Sequence, residues 1–296
     1  MDGANAASAG STKPPSSLRR RLISVMVLIP LVVAAGWWAW ATVLAVALCV
    51  AIGTRELFAM LQQGGFTPRL GPGLAASLAL VAAVALRPFT SFDLVGLTLT
   101  LTVSLTLIYE IGPGDRSASL QSWALTVTSA LYLGWLLSSF ILLRQLAIPL
   151  QAGWLEFLAI PAGARWVFLV LAITWLQDTA AFFAGRAFGR HTMAPTLSPK
   201  KTWEGFAGGW LASILTALVA VPLLGLPIGY LAAGLIGAIA GIAGPLGDLG
   251  ESLIKRQIGV KDSGQLIPGH GGLLDRMDSL LFVGPVVYYG VLLVAG

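Results

Sequence analysis

Seven of the thirteen acidic residues in this 296-residue chain fall between positions 178 and 278: Asp178, Glu204, Asp248, Glu251, Asp262, Asp275 and Asp278. Several lie in or beside long apolar runs. A carboxylate embedded in a bilayer costs ~2.5–3.5 kcal/mol even on lenient insertion scales, so it normally faces a cavity, a counter-charge or an ion. In GPLGDLGESLIKR, Asp248, Glu251, Ser252 and Lys255 share one helical face. Glu251 and Lys255 read equally well as a structural i,i+4 pair and as site residues. Asp248 is different: it stands between Gly247 and Gly250 with no obvious local cation, which points to a ligand role.

The loop GVKDSGQLIPGHGG follows, carrying Lys261, Asp262 and His270 among glycines that let backbone N–H groups approach phosphate oxygens. Asp275 and Asp278 then sit three apart at an expected helix start, projecting to the same side. As structural residues they would cap that helix and complement its dipole, each worth ~0.5–2 kcal/mol. Together with Asp248 they also form a carboxylate cluster suited to Mg²⁺, a hard cation that keeps coordination positions for water or substrate phosphate. Mn²⁺ is the alternative divalent ion, and a second, monovalent cation such as K⁺ is left open. A second polar island, QDTAAFFAGRAFGRHTMAPTLSPKKTWEG, contributes Asp178, Ser198, Lys200, Lys201 and Thr202, with Arg186 and Arg190 one helical turn apart. Its cations and hydroxyls can neutralise phosphate, although a basic loop is also an ordinary topology signal.

Membrane helices must position these groups. The chain is 56% hydrophobic and 10% charged, with a mean hydropathy of +0.84, whereas soluble domains carry roughly 25% charged residues. The reading is an all-α, polytopic integral membrane protein. Its apolar windows give nine spans, near 22–38, 40–62, 70–87, 92–110, 121–143, 164–187, 205–224, 228–254 and 277–295. Basic residues concentrate on one set of loops, which places the N-terminus in the cytoplasm and both polar islands on the cytoplasmic side; Arg55 falls inside a span. Residues 1–18 read as a disordered tail and 19–296 as one transmembrane domain with its catalytic region in 178–278.

The run after Arg19–Arg21 resembles a signal peptide, but Trp37, Trp38 and Trp40 suit an interfacial belt better than a cleavage region. The break at 144–163 has room for a short interfacial helix. Cys49 is single, so no disulfide forms within one chain. The net charge of +5 is scattered over short loops, which excludes a nucleic-acid stripe. Small-residue spacing such as Gly237 with Gly241 points to close helix packing, and helix faces of this kind motivate the expectation of a homodimer.

The stretch from Ser252 to Asp278, with Lys255, Arg256, Lys261, Asp262, Gly264, Pro268, His270, Gly271, Gly272, Asp275 and Arg276 in place, resembles the signature of the phosphatidate cytidylyltransferases, or CDP-diglyceride synthases. Ser198 to Gly205, SPKKTWEG, is similar to that family's other recurrent segment. The resemblance implies an enzyme of the inner (cytoplasmic) membrane that converts CTP and phosphatidic acid to CDP-diacylglycerol and pyrophosphate, its active site facing the cytoplasm. It implies metal coordination by Asp248, Asp275 and Asp278, phosphate contacts from Lys201, Lys255, Arg256, Lys261 and Arg276, and a polar cavity completed by Asp178. His270 would contact phosphate or hold its loop. Two rivals remain at this level: a CTP-dependent polyprenol or phytol kinase, and an ion-coupled transporter using Asp178 and Asp248.

Overall fold

The computed structural model describes residue 30 and residues 32–112, 117–264, 266 and 271–295. Its long helices are α1 (Ala39–Gln63), α2 (Leu70–Leu86), α3 (Leu94–Glu110), α4 (Ser119–Ser129), α5 (Leu136–Arg144), α6 (Ala162–Phe188), α7 (Trp203–Leu224), α8 (Tyr230–Ile258) and α9 (Asp278–Ala295). A π-helical turn, Ala130–Trp135, joins α4 to α5 into one continuous rod. Seven helices, counting that rod once, are long and apolar enough to cross a bilayer; α3, at 17 residues, is a shorter apolar helix. The molecule is thus a mainly helical, multi-pass membrane protein. The first expected span, 22–38, lies largely outside the described residues, as do the tail at 1–18 and His270.

The elements alternate in direction. The C-terminal ends of α1, α6 and α8 and the starts of α7 and α9 therefore gather at one face. One hydrophobic core runs through the bundle, with Leu143, Trp166, Leu281 and Val287 inaccessible. α6, α7, α8 and α9 pack in sequence order. The small-residue face at Gly237 and Gly241 lies against α7: Ser213 donates to the Gly237 carbonyl at 2.6 Å, and Gln177 of α6 donates to the Gly241 carbonyl at 2.8 Å. A glycine also decides the packing beside the polar face. A Cβ at Gly247 would stand 2.5 Å from the Asp278 carbonyl, so α8 and α9 approach there only because that side chain is missing.

The structure departs from an all-helical reading at the second polar island. Thr192–Ala194 (β1) and Ser198–Thr202 (β2) form a two-stranded antiparallel hairpin. Arg190 is not one turn beyond Arg186 on a common helix, because α6 stops at Phe188 and Gly189 turns the chain into the hairpin. At the opposite face, 144–163 holds only a 3₁₀ turn, Glu156–Leu158, strapped to the end of α7 through Gln151, Trp154 and Leu155 N–H groups donating to the carbonyls of Gly225, Pro222 and Leu223.

Candidate active site

The hairpin is folded over the end of α8. Lys201, near the end of β2, places its Nζ 2.6 Å from Asp248 Oδ2, and Arg256 Nε donates to the Leu197 carbonyl at 3.2 Å. Asp248 therefore does have a cation, supplied from 47 positions earlier in the chain. Thr202 caps α7 by accepting the Gly205 N–H at 3.1 Å. Glu204 latches the hairpin base: it accepts the Arg190 and His191 N–H groups at 3.1 and 3.3 Å and lies 2.6 Å from His191 Nδ1. The two polar islands are walls of one site.

Asp275 lies on a 3₁₀ turn, Leu274–Arg276, which ends before α9 begins at Asp278. The two aspartates consequently belong to separate elements and take different partners instead of sharing one helical side. Asp275 Oδ1 takes the Lys255 ammonium at 2.6 Å, while Oδ2 accepts the Ser263 N–H at 2.9 Å, the Ser263 hydroxyl at 3.0 Å and the Gly272 N–H at 2.9 Å. Lys255 also stands 3.3 Å from Glu251 Oε1 and is 12% exposed. Both residues thus serve as internal struts of the loop between α8 and α9.

Burial alone would raise the Asp275 carboxyl, but the Lys255 ammonium and the two N–H groups outweigh it and hold the group below the usual carboxylate range. The folded protein binds that proton less readily than the unfolded chain. The resulting stabilisation is complete above the unfolded value, ~3.9, and is lost as pH falls through the lower folded value. Thermal unfolding followed downward from about pH 6 to about pH 3 should show a falling midpoint that Asp275→Asn makes shallower. An acid limb of unchanged steepness in the variant would contradict this.

Asp178 lies within the electrostatic reach of Asp248 and Asp278, and Glu251 within that of Asp278. Glu251 is fully buried and pairs with the Lys255 ammonium at 3.3 Å; among the described residues no regular hydrogen bond completes its oxygens. The Tyr132 hydroxyl, on the π-helical turn, is buried with no hydrogen-bond partner among the described residues and lies within the field of Glu251, Asp278 and Asp248. Single π turns recur at functional sites because they displace a side chain from the regular helical face.

These observations test the metal expectation. Among the described residues no three carboxylate, histidine or cysteine groups converge tightly enough to form a cage by themselves. The donor chemistry nevertheless fits a divalent hard cation: several carboxylates crowd one polar region, and two of them, Asp248 and Glu251, are already paired with the ammonium groups of Lys201 and Lys255. Mg²⁺ is commonly held by one or two carboxylates together with substrate phosphates and waters, so a closed protein cage is not required.

The chain matches the Cytidylyltransferase family over residues 19–294. It is 33% identical to a phosphatidate cytidylyltransferase of Synechocystis over 293 residues, covering 95% of this chain and 97% of that protein. It is 32% identical to the phosphatidate cytidylyltransferase of Bacillus subtilis over 245 residues, 82% and 86% of the two chains. A chloroplastic phosphatidate cytidylyltransferase of Arabidopsis thaliana is 34% identical over 295 residues, 93% of this chain and 74% of the other.

The chain belongs to the cytidylyltransferase family.

In this cytidylyltransferase several of the residues singled out in the sequence lie together at one face. Lys201, Asp248, Ser252, Glu251, Lys255, Asp275 and Asp278 converge, with Ser252 Oγ 3.4 Å from Asp248 Oδ1. Ser198 lies in β2, and Lys200, Lys261 and Arg276 are exposed and make no ion pair among the described residues. Two participants escape sequence reasoning. Tyr132 has no signal, because a π turn is not encoded by apolar periodicity. Glu56 does have one, since Arg55-Glu56 interrupts an otherwise apolar run, and only the arginine draws attention as a topology marker.

Proposed function

We propose that this cytidylyltransferase joins CTP to phosphatidic acid, giving CDP-diacylglycerol and pyrophosphate. The observation that carries the reading is the facing pair of walls: Lys201 from the hairpin meeting Asp248 on α8, with Asp278 opening α9 beside them. The phosphatidate monoester oxygen attacks the α-phosphorus of CTP. That bond forms as the bond from the α-phosphorus to the oxygen bridging to the β-phosphorus breaks, and pyrophosphate carries away the electron pair. A phosphate monoester is already an anionic nucleophile, so the protein's task is alignment and relief of repulsion between anions.

Asp248 and Asp278, with Asp178 at the edge, would hold a divalent cation, Mg²⁺ or Mn²⁺. Held there, the cation would supply positive charge to offset the negative charge developing on the leaving pyrophosphate. Asp275 is also a candidate ligand, although its four accepted bonds favour a holding role here. A monovalent ion such as K⁺ would find its donors around Glu251. Lys200, Arg256, Lys261 and Arg276 are the cations available to arriving phosphates, and His270 belongs to the same loop. The Tyr132 hydroxyl is available to donate to a bound phosphate oxygen.

The site face is cytoplasmic on this reading, with the N-terminus on the same side and a ninth span in 22–38, so that CTP enters from water and the lipid from the inner membrane. A homodimer would pair through other helix faces, since Gly237 and Gly241 are already packed against α7 of the same chain. Purified protein given CTP, phosphatidate and Mg²⁺ should release one pyrophosphate per lipid consumed, and chelation should stop it. Release of CDP in its place would favour a kinase.

A further inference from the structure

Glu56 sits on α1, a helix that contributes no group to the carboxylate cluster, yet its side chain reaches the loop between α8 and α9. Oε1 accepts the Leu273 N–H at 3.0 Å, Oε2 accepts the Leu274 N–H at 2.8 Å, and the Ser263 hydroxyl lies 3.4 Å from Oε2. Leu273 and Leu274 open the 3₁₀ turn that carries Asp275. The first N–H groups of any helical turn lack acceptors within it, and a carboxylate there satisfies them and complements the local dipole. Such a cap ordinarily comes from the preceding residue. Here it comes from a residue 217 positions earlier in the chain.

The surroundings are cut to admit it. A Cβ at Gly264 or at Gly272 would stand 2.7 Å from a Glu56 oxygen, and one at Gly272 would also collide with the Ser263 hydroxyl. That same hydroxyl bonds Asp275 Oδ2, so Glu56 and Asp275 grip the loop from opposite sides through a shared serine. Glu56 makes no ion pair among the described residues, and the neighbouring Arg55 is exposed. Its bonds therefore go to the loop backbone and Ser263, and none goes to a cation.

We propose that Glu56 is a positioning residue for cytidylyl transfer, locking the 3₁₀ turn to α1 and so setting where Asp278 stands relative to Asp248. The proposal rests on the reading of Asp278 as a site residue. Displacing reacting groups by about an ångström can cost on the order of 10²-fold in rate, and removing a supporting hydrogen bond around a metal site costs about 10- to 100-fold. Glu56→Ala should accordingly lower kcat by about 30- to 100-fold per folded molecule, with KM for phosphatidate changed by less than about threefold. Glu56→Gln keeps an acceptor for only one of the two N–H groups and sets its amide NH2 against the other, so its kcat should fall between those of Glu56→Ala and the native enzyme.

The experiment measures kcat and KM for both variants in detergent micelles, with thermal midpoints and monodispersity used to count folded molecules and Asp278→Ala run alongside. Native kcat in either variant, or a loss accounted for wholly by unfolded protein, would overturn the proposal. An active Asp278→Ala would instead overturn the site reading on which it rests.

Discussion

Asp278→Ala is expected to lower kcat by on the order of 10³-fold while leaving the protein folded. The separation of the two effects follows from what Asp278 touches. Apart from its own helix start, where Oδ1 accepts the Ser279 N–H at 2.6 Å, it lies within reach of the carboxylates Asp248, Glu251 and Asp178 and of the Lys255 ammonium, which keeps Asp275 as its closer partner. Removing it orphans no cation and relieves a repulsion, so the thermal midpoint should hold or rise. A purely structural Asp278, complementing the α9 dipole, would behave in the opposite way, with stability falling by ~0.3–1 kcal/mol and turnover unchanged. Measuring kcat and the unfolding midpoint on one preparation distinguishes the two, and turnover near the native rate would remove Asp278 from the site.

Lys255→Met is expected to produce the largest loss of stability. The ammonium is 12% exposed and serves Asp275 at 2.6 Å and Glu251 at 3.3 Å. Methionine replaces its apolar stem but leaves two buried carboxylates without their cation, a change that typically costs ~3–5 kcal/mol. Much of that cost should be recovered by adding Asp275→Asn, which removes one of the stranded charges while retaining an acceptor for the Ser263 and Gly272 N–H groups. Thermal midpoints of the single and double variants form the check. Equal destabilisation in both would mean that the pair is not the source of the effect. Lys255 was a candidate for phosphate contact on sequence grounds; its two carboxylate partners make it chiefly a strut.

What the sequence discloses and what it hides divide along physical lines. Helix positions are legible because apolar run length is set by bilayer thickness, so α6 to α9 lie within a few residues of their expected windows. The clustering is legible because charge in an apolar chain needs a reason, and Asp248, Asp275, Asp278, Lys201 and Lys255 all meet at one face. Pairing is not legible. The Lys201 to Asp248 contact depends on a hairpin that folds back over α8, and no spacing rule connects residues on separate elements. The different partners of Asp275 and Asp278 follow from the 3₁₀ turn stopping at Arg276, a backbone event that a three-residue spacing does not reveal. Glu56 was hidden for a related reason, since its partners are N–H groups, which every sequence contains.

The central claim is that the group moved is cytidylyl and that the acceptor is phosphatidate. The most direct measurement gives purified protein phosphatidate and CTP labelled in turn at the α- and the γ-phosphorus, then separates lipid from water-soluble products. The account predicts α-label in a lipid product that migrates as CDP-diacylglycerol and γ-label wholly in pyrophosphate. Transfer of γ-label to lipid, with CDP left behind, would contradict it.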